Sequence, residues 1–225
     1  MDIQPIYGIP ALRVNDSFVI SDLHIGVETH LMKKGFHIAS RTEDMYDCIL
    51  ENSEGCDHLI VLGDVKDAVP GSSKQEFREI PNFFERLKER FDNIDLVRGN
   101  HDTNIEEFLP EGIRVRPSTG MVIDGVGKQT TEPCWMRGKF RSGCDRYQEF
   151  PESFIVIPAF NRMLGGSPMN VVNETFLGPL MNNDYLDLDN AHMYLLDGID
   201  LGKRSDIMVN DRYELRNLKR GPRRR

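Results

Sequence analysis

Asp22-Leu23-His24 sets a carboxylate and an imidazole two residues apart. Just past a strand, both side chains can face the same way and grip one metal ion. Asp64 follows Gly63, and Asn100 follows Gly99, so each glycine is succeeded by an oxygen donor. A carboxylate can bridge two cations through its two oxygens. A bimetallic centre of that kind clamps a phosphate and generates a hydroxide nucleophile near neutral pH. His101 stands beside Asn100, positioned to protonate a leaving alkoxide, with Asp102 available to orient it. Each fragment alone says little, since an Asp-x-His is more often a surface or capping feature and a Gly-Asp after a strand is more often a turn. Their conjunction carries the weight.

The elements that must hold these residues are legible around them. Ser17-Phe18-Val19-Ile20, His58-Leu59-Ile60-Val61-Leu62 and Ile94-Asp95-Leu96-Val97 are short runs rich in β-formers, and each ends at one of the clusters. Between the first two, Leu31, Ile38, Met45 and Ile49 recur near the helical period, and Ser40-x-x-Glu43 has the form of a capping box starting the second part of that stretch. Between the second and third, Phe77, Ile80, Phe84, Leu87 and Phe91 share one helical face, with Pro81 expected near the helix start. The pattern predicts βαβ units. Parallel α/β sheets collect ligands at the carboxyl ends of their strands, so the three clusters should converge. After Asp102 the texture changes to strand-like runs at 113–116, 121–123, 134–136, 154–157 and 193–196, separated by Gly, Pro and Asn. This half predicts a mostly antiparallel second sheet facing the first.

Composition narrows the class. The 225 residues, 39% hydrophobic and 28% charged, suit a single folded domain of ordinary soluble character. No basic leader followed by an apolar stretch and no long apolar run occurs, so membrane spanning and export are not expected and the cytoplasm is. A net charge of -8 argues against a broad nucleic-acid-binding face. The chain closes on LKRGPRRR, a basic tail at 218–225 following a domain expected over 1–217; it is read as solvated, with contact to RNA or DNA as the alternative. Cys48, Cys56, Cys134 and Cys144 form no CxxC pair; they are expected as reduced thiols, although Cys134 and Cys144 could meet across a hairpin.

SDLHIG, GDVKD and GNHD, in that order and each behind an apolar strand, resemble the signature of the calcineurin-like metallophosphoesterases. An archaeal branch related to the nuclease subunit SbcD is similar also in EPCWMRG (132–138), IPAFN (157–161), Gly165-Gly166 and LLDG (195–198). The resemblance implies a four-layer αββα sandwich with two facing mixed sheets and two divalent cations, often manganese. It implies hydrolysis of phosphate monoesters or diesters, nucleic acids included. Asp22, His24, Asp64 and Asn100 match its metal ligands and His101 its general acid. The family pattern also has a Gly-His and then a Gly-His-x-His, which complete both metal spheres with three imidazoles. The six histidines here are His24, His30, His37, His58, His101 and His192, so nothing between Asp102 and Ala191 can serve. His192 lacks the preceding glycine and is read as structural or exposed; His30, His37 and His58 are not expected to replace the missing ligands. The break from the branch falls at Gly127-Lys128. The expected consequences are an incomplete second sheet with unpaired edges, weakened metal affinity and impaired hydrolysis. The alternative is a non-catalytic remnant that binds a partner or a nucleic acid.

Overall fold

The computed structural model describes residues 3–117, 126–128, 133–141, 152–164, 167–172, 174, 176, 179–182 and 185–208. The run expected at 121–123, Cys144, Gly165-Gly166 and the basic tail lie outside the described residues. The chain divides into two compact units, Met1–Val122 with Ala159–Met163, and Ile123–Pro158 with Leu164–Arg225.

The first unit is built on a six-stranded sheet of β1 (Ile3–Pro5), β2 (Leu12–Val14), β3 (Ser17–Ile20), β4 (His58–Leu62), β5 (Asn93–Val97) and β6 (Arg114–Arg116), in that spatial order. The pairs β1–β2 and β2–β3 are antiparallel, and β3 through β6 run parallel. Helices α1 (Val27–Lys33), α2 (Thr42–Asn52) and α3 (Lys74–Lys88) make the connections. Alternation along the central strands sends Phe18, Ile20, Leu59, Val61, Ile94 and Leu96 into one core, where they meet Met45, Tyr46 and Ile49 of α2 and Ile80, Phe83, Phe84 and Leu87 of α3. On the opposite face Val19, Ile60 and Val97 are buried too, which is why β3 and β4 read as nearly continuous apolar runs; in β5 that face also carries the buried Asp95. The register aligns Ile20 with Val61 and Val61 with Leu96, so β3, β4 and β5 end level with one another.

Several local expectations are corrected. The helical stretch between β3 and β4 has the expected second part, α2, but Ile38 belongs to neither helix and lies exposed between them. The Ser40 capping box does not form: Arg41 is the N-cap of α2, and the Ser40 hydroxyl donates to Glu79 at 2.7 Å. The capping box is at α3 instead, where Ser73 accepts from the Glu76 N–H at 3.2 Å and Glu76 accepts from the Ser73 N–H. Pro81 sits inside α3, where the buried face of Ile80, Phe83, Phe84 and Leu87 outweighs the one backbone bond it forfeits. Phe77 is largely exposed and lies against Phe108, with ring centroids 4.6 Å apart. The run at 113–116 joins the first sheet as the parallel strand β6.

The second unit holds β7 (Val126–Lys128), β8 (Cys134–Lys139), β9 (Ser153–Ile157), β10 (His192–Leu195) and β11 (Asp200–Lys203), in the order β11-β10-β8-β9-β7. All neighbouring pairs are antiparallel except β7–β9, which accords with the expected texture. A short helix, α4 (Pro179–Asn182), accompanies them. Cys134, Met136, Phe154, Val156 and Met193 form the core of this unit with Met169, Phe176 and Leu186. The edge strands among the described residues are β7 and β11, and Ile199 and Leu201 near the latter are exposed.

One charge cluster, centred on the buried Asp95, braces the first sheet. Asp95 on β5 receives Arg114 Nη2 at 2.6 Å and Arg116 Nε at 2.7 Å, with His58 Nε2 at 2.7 Å. Burial by itself pushes this carboxyl up, but the hydrogen bonds from Arg114, Arg116 and His58 outweigh it and hold the pKa at about 2 against an ordinary 3.8. A depressed folded-state value means stability that is complete above the unfolded pKa and lost as pH falls through the folded one. Unfolding free energy is therefore expected to decline between pH 3.8 and about 2. Asp95→Asn should flatten that decline in denaturant titrations at stepped pH.

Candidate metal centre

The three clusters leave the sheet at the level ends of β3, β4 and β5, and a backbone ladder continues past those ends. The N–H groups of Asp22, His24 and Ile25 donate to the carbonyls of Gly63, Asp64 and Val65 at 3.0, 2.9 and 2.8 Å. Along this ladder Asp22, His24 and Asp64 have φ of 54°, 40° and 52°, in the left-handed region that costs an L-residue with a side chain roughly 1–2 kcal/mol each. Three of the five non-glycine residues with positive φ among the described residues are thus the predicted metal donors. Strain of this kind persists where surrounding structure over-determines it.

The strain aims the side chains together. Asp22, His24 and Asp64 are 2%, 7% and 5% exposed. Their donor atoms lie within 4.8 Å of one another. His24 Nε2 is 3.9 Å from Asp22 Oδ1 and 3.7 Å from Asp64 Oδ2. Both spacings are too long for hydrogen bonds, and they leave the three donors facing one gap that a single cation would close by drawing them nearer. Two carboxylates buried side by side are costly unless they are paired or hold a metal. The donor set, two carboxylates and an imidazole, fits a divalent ion of the borderline type.

His101 joins through its backbone and its ring. Its N–H donates to Asp64 Oδ1 at 2.9 Å. Its ring stands edge-on to His24, with centroids 4.6 Å apart. Asn100 lies between Gly99 and His101 and is exposed. Asp102 does not take the expected place beside the His101 ring. It is fully buried and accepts from the N–H groups of Val65 at 2.8 Å, Lys66 at 3.4 Å and Gly99 at 2.8 Å, tying the loop after β4 to the loop after β5. Burial pushes its carboxyl up, the neighbouring charge of Asp64 adds to the rise, and the backbone donors oppose it.

The residue that orients the imidazoles is Asp67, to which the spacing argument assigned no role. Its Oδ1 lies 3.2 Å from His24 Nδ1, and its carbonyl oxygen lies 2.7 Å from His101 Nδ1. Both partners are acceptors, so each ring donates from Nδ1, and His24 Nε2 is the nitrogen that faces Asp22 and Asp64. Asp67 is itself held, because buried Glu76 accepts from the N–H groups of Asp67 at 2.9 Å and Ala68 at 2.7 Å. The buried Lys66 ammonium donates to the Gly71 carbonyl at 2.7 Å and pins the same loop. The available signal was its place as the last residue of GDVKD. Asp67→Ala should keep the fold and weaken manganese binding by about 10–100-fold in a direct titration.

The remaining histidines stand apart from these groups. His192 meets Asp200 at 3.2 Å on the surface of the second unit, as expected of an exposed residue. His58 serves the Asp95 cluster, and His30 and His37 are exposed. Among the described residues, the groups of acidic and histidine side chains able to hold an ion are Asp22-His24-Asp64 and His24-Asp67-His101. No helix of the described residues is long and apolar enough to cross a membrane.

Residues 18–221 match the family model of the calcineurin-like phosphoesterases. A nuclease of Pseudomonas putida, MPE, has a similar structure, with a TM-score of 0.52 and 16% identity, over 89% of this chain and 100% of that one. At that identity the likeness speaks for the fold alone. No curated protein is significantly similar to the chain. The family match spans all three motif loops and the sheet ends that bear them, and the chain belongs to the calcineurin-like phosphoesterase family.

Proposed function

We propose that this chain is a metal-dependent phosphoesterase that cleaves phosphate esters, with nucleic acids as the substrate class, and that its turnover is impaired by a reduced set of histidine ligands. The observation that carries the reading is the convergence of buried Asp22, His24 and Asp64 at the ends of adjacent parallel strands. Asp22, His24 and Asp64 would hold the first cation, manganese by preference, and Asn100 with Asp64 would reach toward a second. When bound, such ions polarise the phosphoryl oxygen and lower the pKa of water. The protein's own part is orientation and proton delivery. Asp67 fixes His24 so that Nε2 faces the site. His101, with Nδ1–H committed to the Asp67 carbonyl, keeps Nε2 as the position that takes up and releases the proton for the leaving oxygen. Asp102 acts through the backbone, keeping the loops of Asp64 and His101 in register.

The reading treats residues 1–217 as one catalytic domain working in the cytoplasm, and assigns the chain to the SbcD-related archaeal branch. Its support for impairment is the lack of any histidine between Asp102 and Ala191. That same observation favours a second reading, a remnant without catalysis that binds nucleic acid through the tail at 218–225. This version requires salt-sensitive binding that vanishes when the tail is removed. The first reading is tested by hydrolysis of bis-(p-nitrophenyl) phosphate by the purified chain. Slow, manganese-dependent turnover that chelation and Asp64→Ala both abolish is expected. No turnover at high manganese would overturn it in favour of the second.

A further inference from the structure

The chain returns to the first unit for five residues, Ala159–Met163, between two stretches of the second. The Phe160 N–H donates to the Ser21 carbonyl at 2.9 Å, and the Asn161 N–H donates to the Asp22 carbonyl at 3.3 Å. The Asn161 side chain then donates from Nδ2 to the Leu23 carbonyl at 2.8 Å and accepts the Met163 N–H on Oδ1 at 3.0 Å. Asn161 is 2% exposed and Leu23 is fully buried, so no solvent substitutes for these bonds.

The other side of the same loop is already committed, since the N–H groups of Asp22, His24 and Ile25 go to the loop after β4. The segment bearing Asp22 and His24 is therefore gripped on both sides: its amides by one loop, and three consecutive carbonyls by 160–161. Two residues with φ of 54° and 40° lie within that grip. Residues in this region hold it only under restraint, and a buried carbonyl left without a donor adds a further penalty.

We propose that Asn161 is a positioning residue for the metal donors: its amide clamps the Leu23 carbonyl and keeps Asp22 and His24 in the left-handed conformation that turns both side chains into one site. The inference rests on the metal-binding reading above but makes a claim about the backbone that holds without metal. The Asn161 side-chain amide bonds the backbone at Leu23, between the two donors, so its effect on them travels through the main chain.

Asn161→Asp separates the two halves of the amide's work, because a carboxylate can still accept from Met163 but cannot donate to Leu23. Asn161→Leu removes both without adding charge. Amide hydrogen exchange on the full chain in the absence of metal is the primary measurement. In the unmodified protein the amides of Asp22, His24 and Ile25 should be protected as strongly as those within β4. In both variants their exchange should quicken by at least about tenfold relative to β4. Asn161→Leu should also weaken manganese binding by about tenfold or more, while Ile80→Val, a core change adjusted to the same loss of melting temperature, should leave it within about twofold. Exchange typical of an open loop in the unmodified chain, or unchanged exchange in the variants, would overturn the proposal. Faster exchange in variants of a chain that binds no manganese at all would instead sink the metal reading and leave the clamp standing.

Discussion

Asp64→Asn is expected to lower the affinity of the full chain for manganese by about 100-fold or more while leaving the fold intact. The amide keeps nearly the volume of the carboxylate, and its oxygen can still accept the His101 N–H that Asp64 Oδ1 receives at 2.9 Å. What disappears is the negative charge opposite His24 Nε2, 3.7 Å away, and with it the bridging capacity of a carboxylate. Losses of about 10–100-fold follow even from removing groups that merely support ligands, so removal of a ligand charge should reach the top of that range. The substitution also relieves the crowding of like charges between Asp64 and Asp22. A variant that is as stable as the parent without metal, or more so, yet gains less stability on adding manganese, is the expected pattern. Melting temperatures with and without manganese, alongside a calorimetric titration, would establish it.

Gly99→Ala should cause the largest loss of stability among single changes near the site. A Cβ at this position would lie 2.2 Å from Asp64 Oδ1 and 2.4 Å from the Asp64 backbone nitrogen. The carboxylate could swing aside only by giving up its bond to His101, and the backbone nitrogen cannot move without displacing the loop that Asp102 ties to Gly99. Gly63 packs into the same space, 2.8 Å from the Gly99 Cα by the reach of its own missing Cβ, so there is no slack on that side. Overpacking of this severity costs about 3 kcal/mol, and the strained donors would be displaced with it. A suitable comparison is Gly112→Ala, where φ is +97° but the nearest heavy atom is 4.0 Å away. Strain alone should make that change cost about 1 kcal/mol and spare metal binding. Urea unfolding of both variants without metal checks the difference.

The parts of the fold that could be read from sequence are those where one local signal sufficed. The strands β3, β4 and β5 are buried on both faces, so apart from Asp95, which is paired with arginines and His58, their central residues are apolar, and their ends could be located by the polar cluster that follows each. The donors Asp22, His24 and Asp64 were legible because they sit in those clusters. Elements whose meaning depends on distant partners were not. β1 and β2 are three residues each and owe their existence to pairing on the edge of β3. β6 reads as a strand of the second half but joins the first sheet, because Arg114 and Arg116 gain their place from Asp95 on β5. Asp67 carries no role by spacing, and gains one because the loop after β4 brings it to both imidazoles. Asn161 is separated by 138 residues from the carbonyl it holds, and nothing in its neighbours announces that contact. Ile38 shows the converse error: its spacing suits a helix, yet the chain between α1 and α2 leaves it on the surface.

An anomalous difference map from a crystal of the full chain soaked in manganese would bear most directly on the whole account. A peak is predicted between the carboxylates of Asp22 and Asp64 and the Nε2 of His24, with bonds of about 2.1 Å. An empty map at saturating manganese, or a peak bound only by other residues, would contradict the claim that these strand ends form a metal centre.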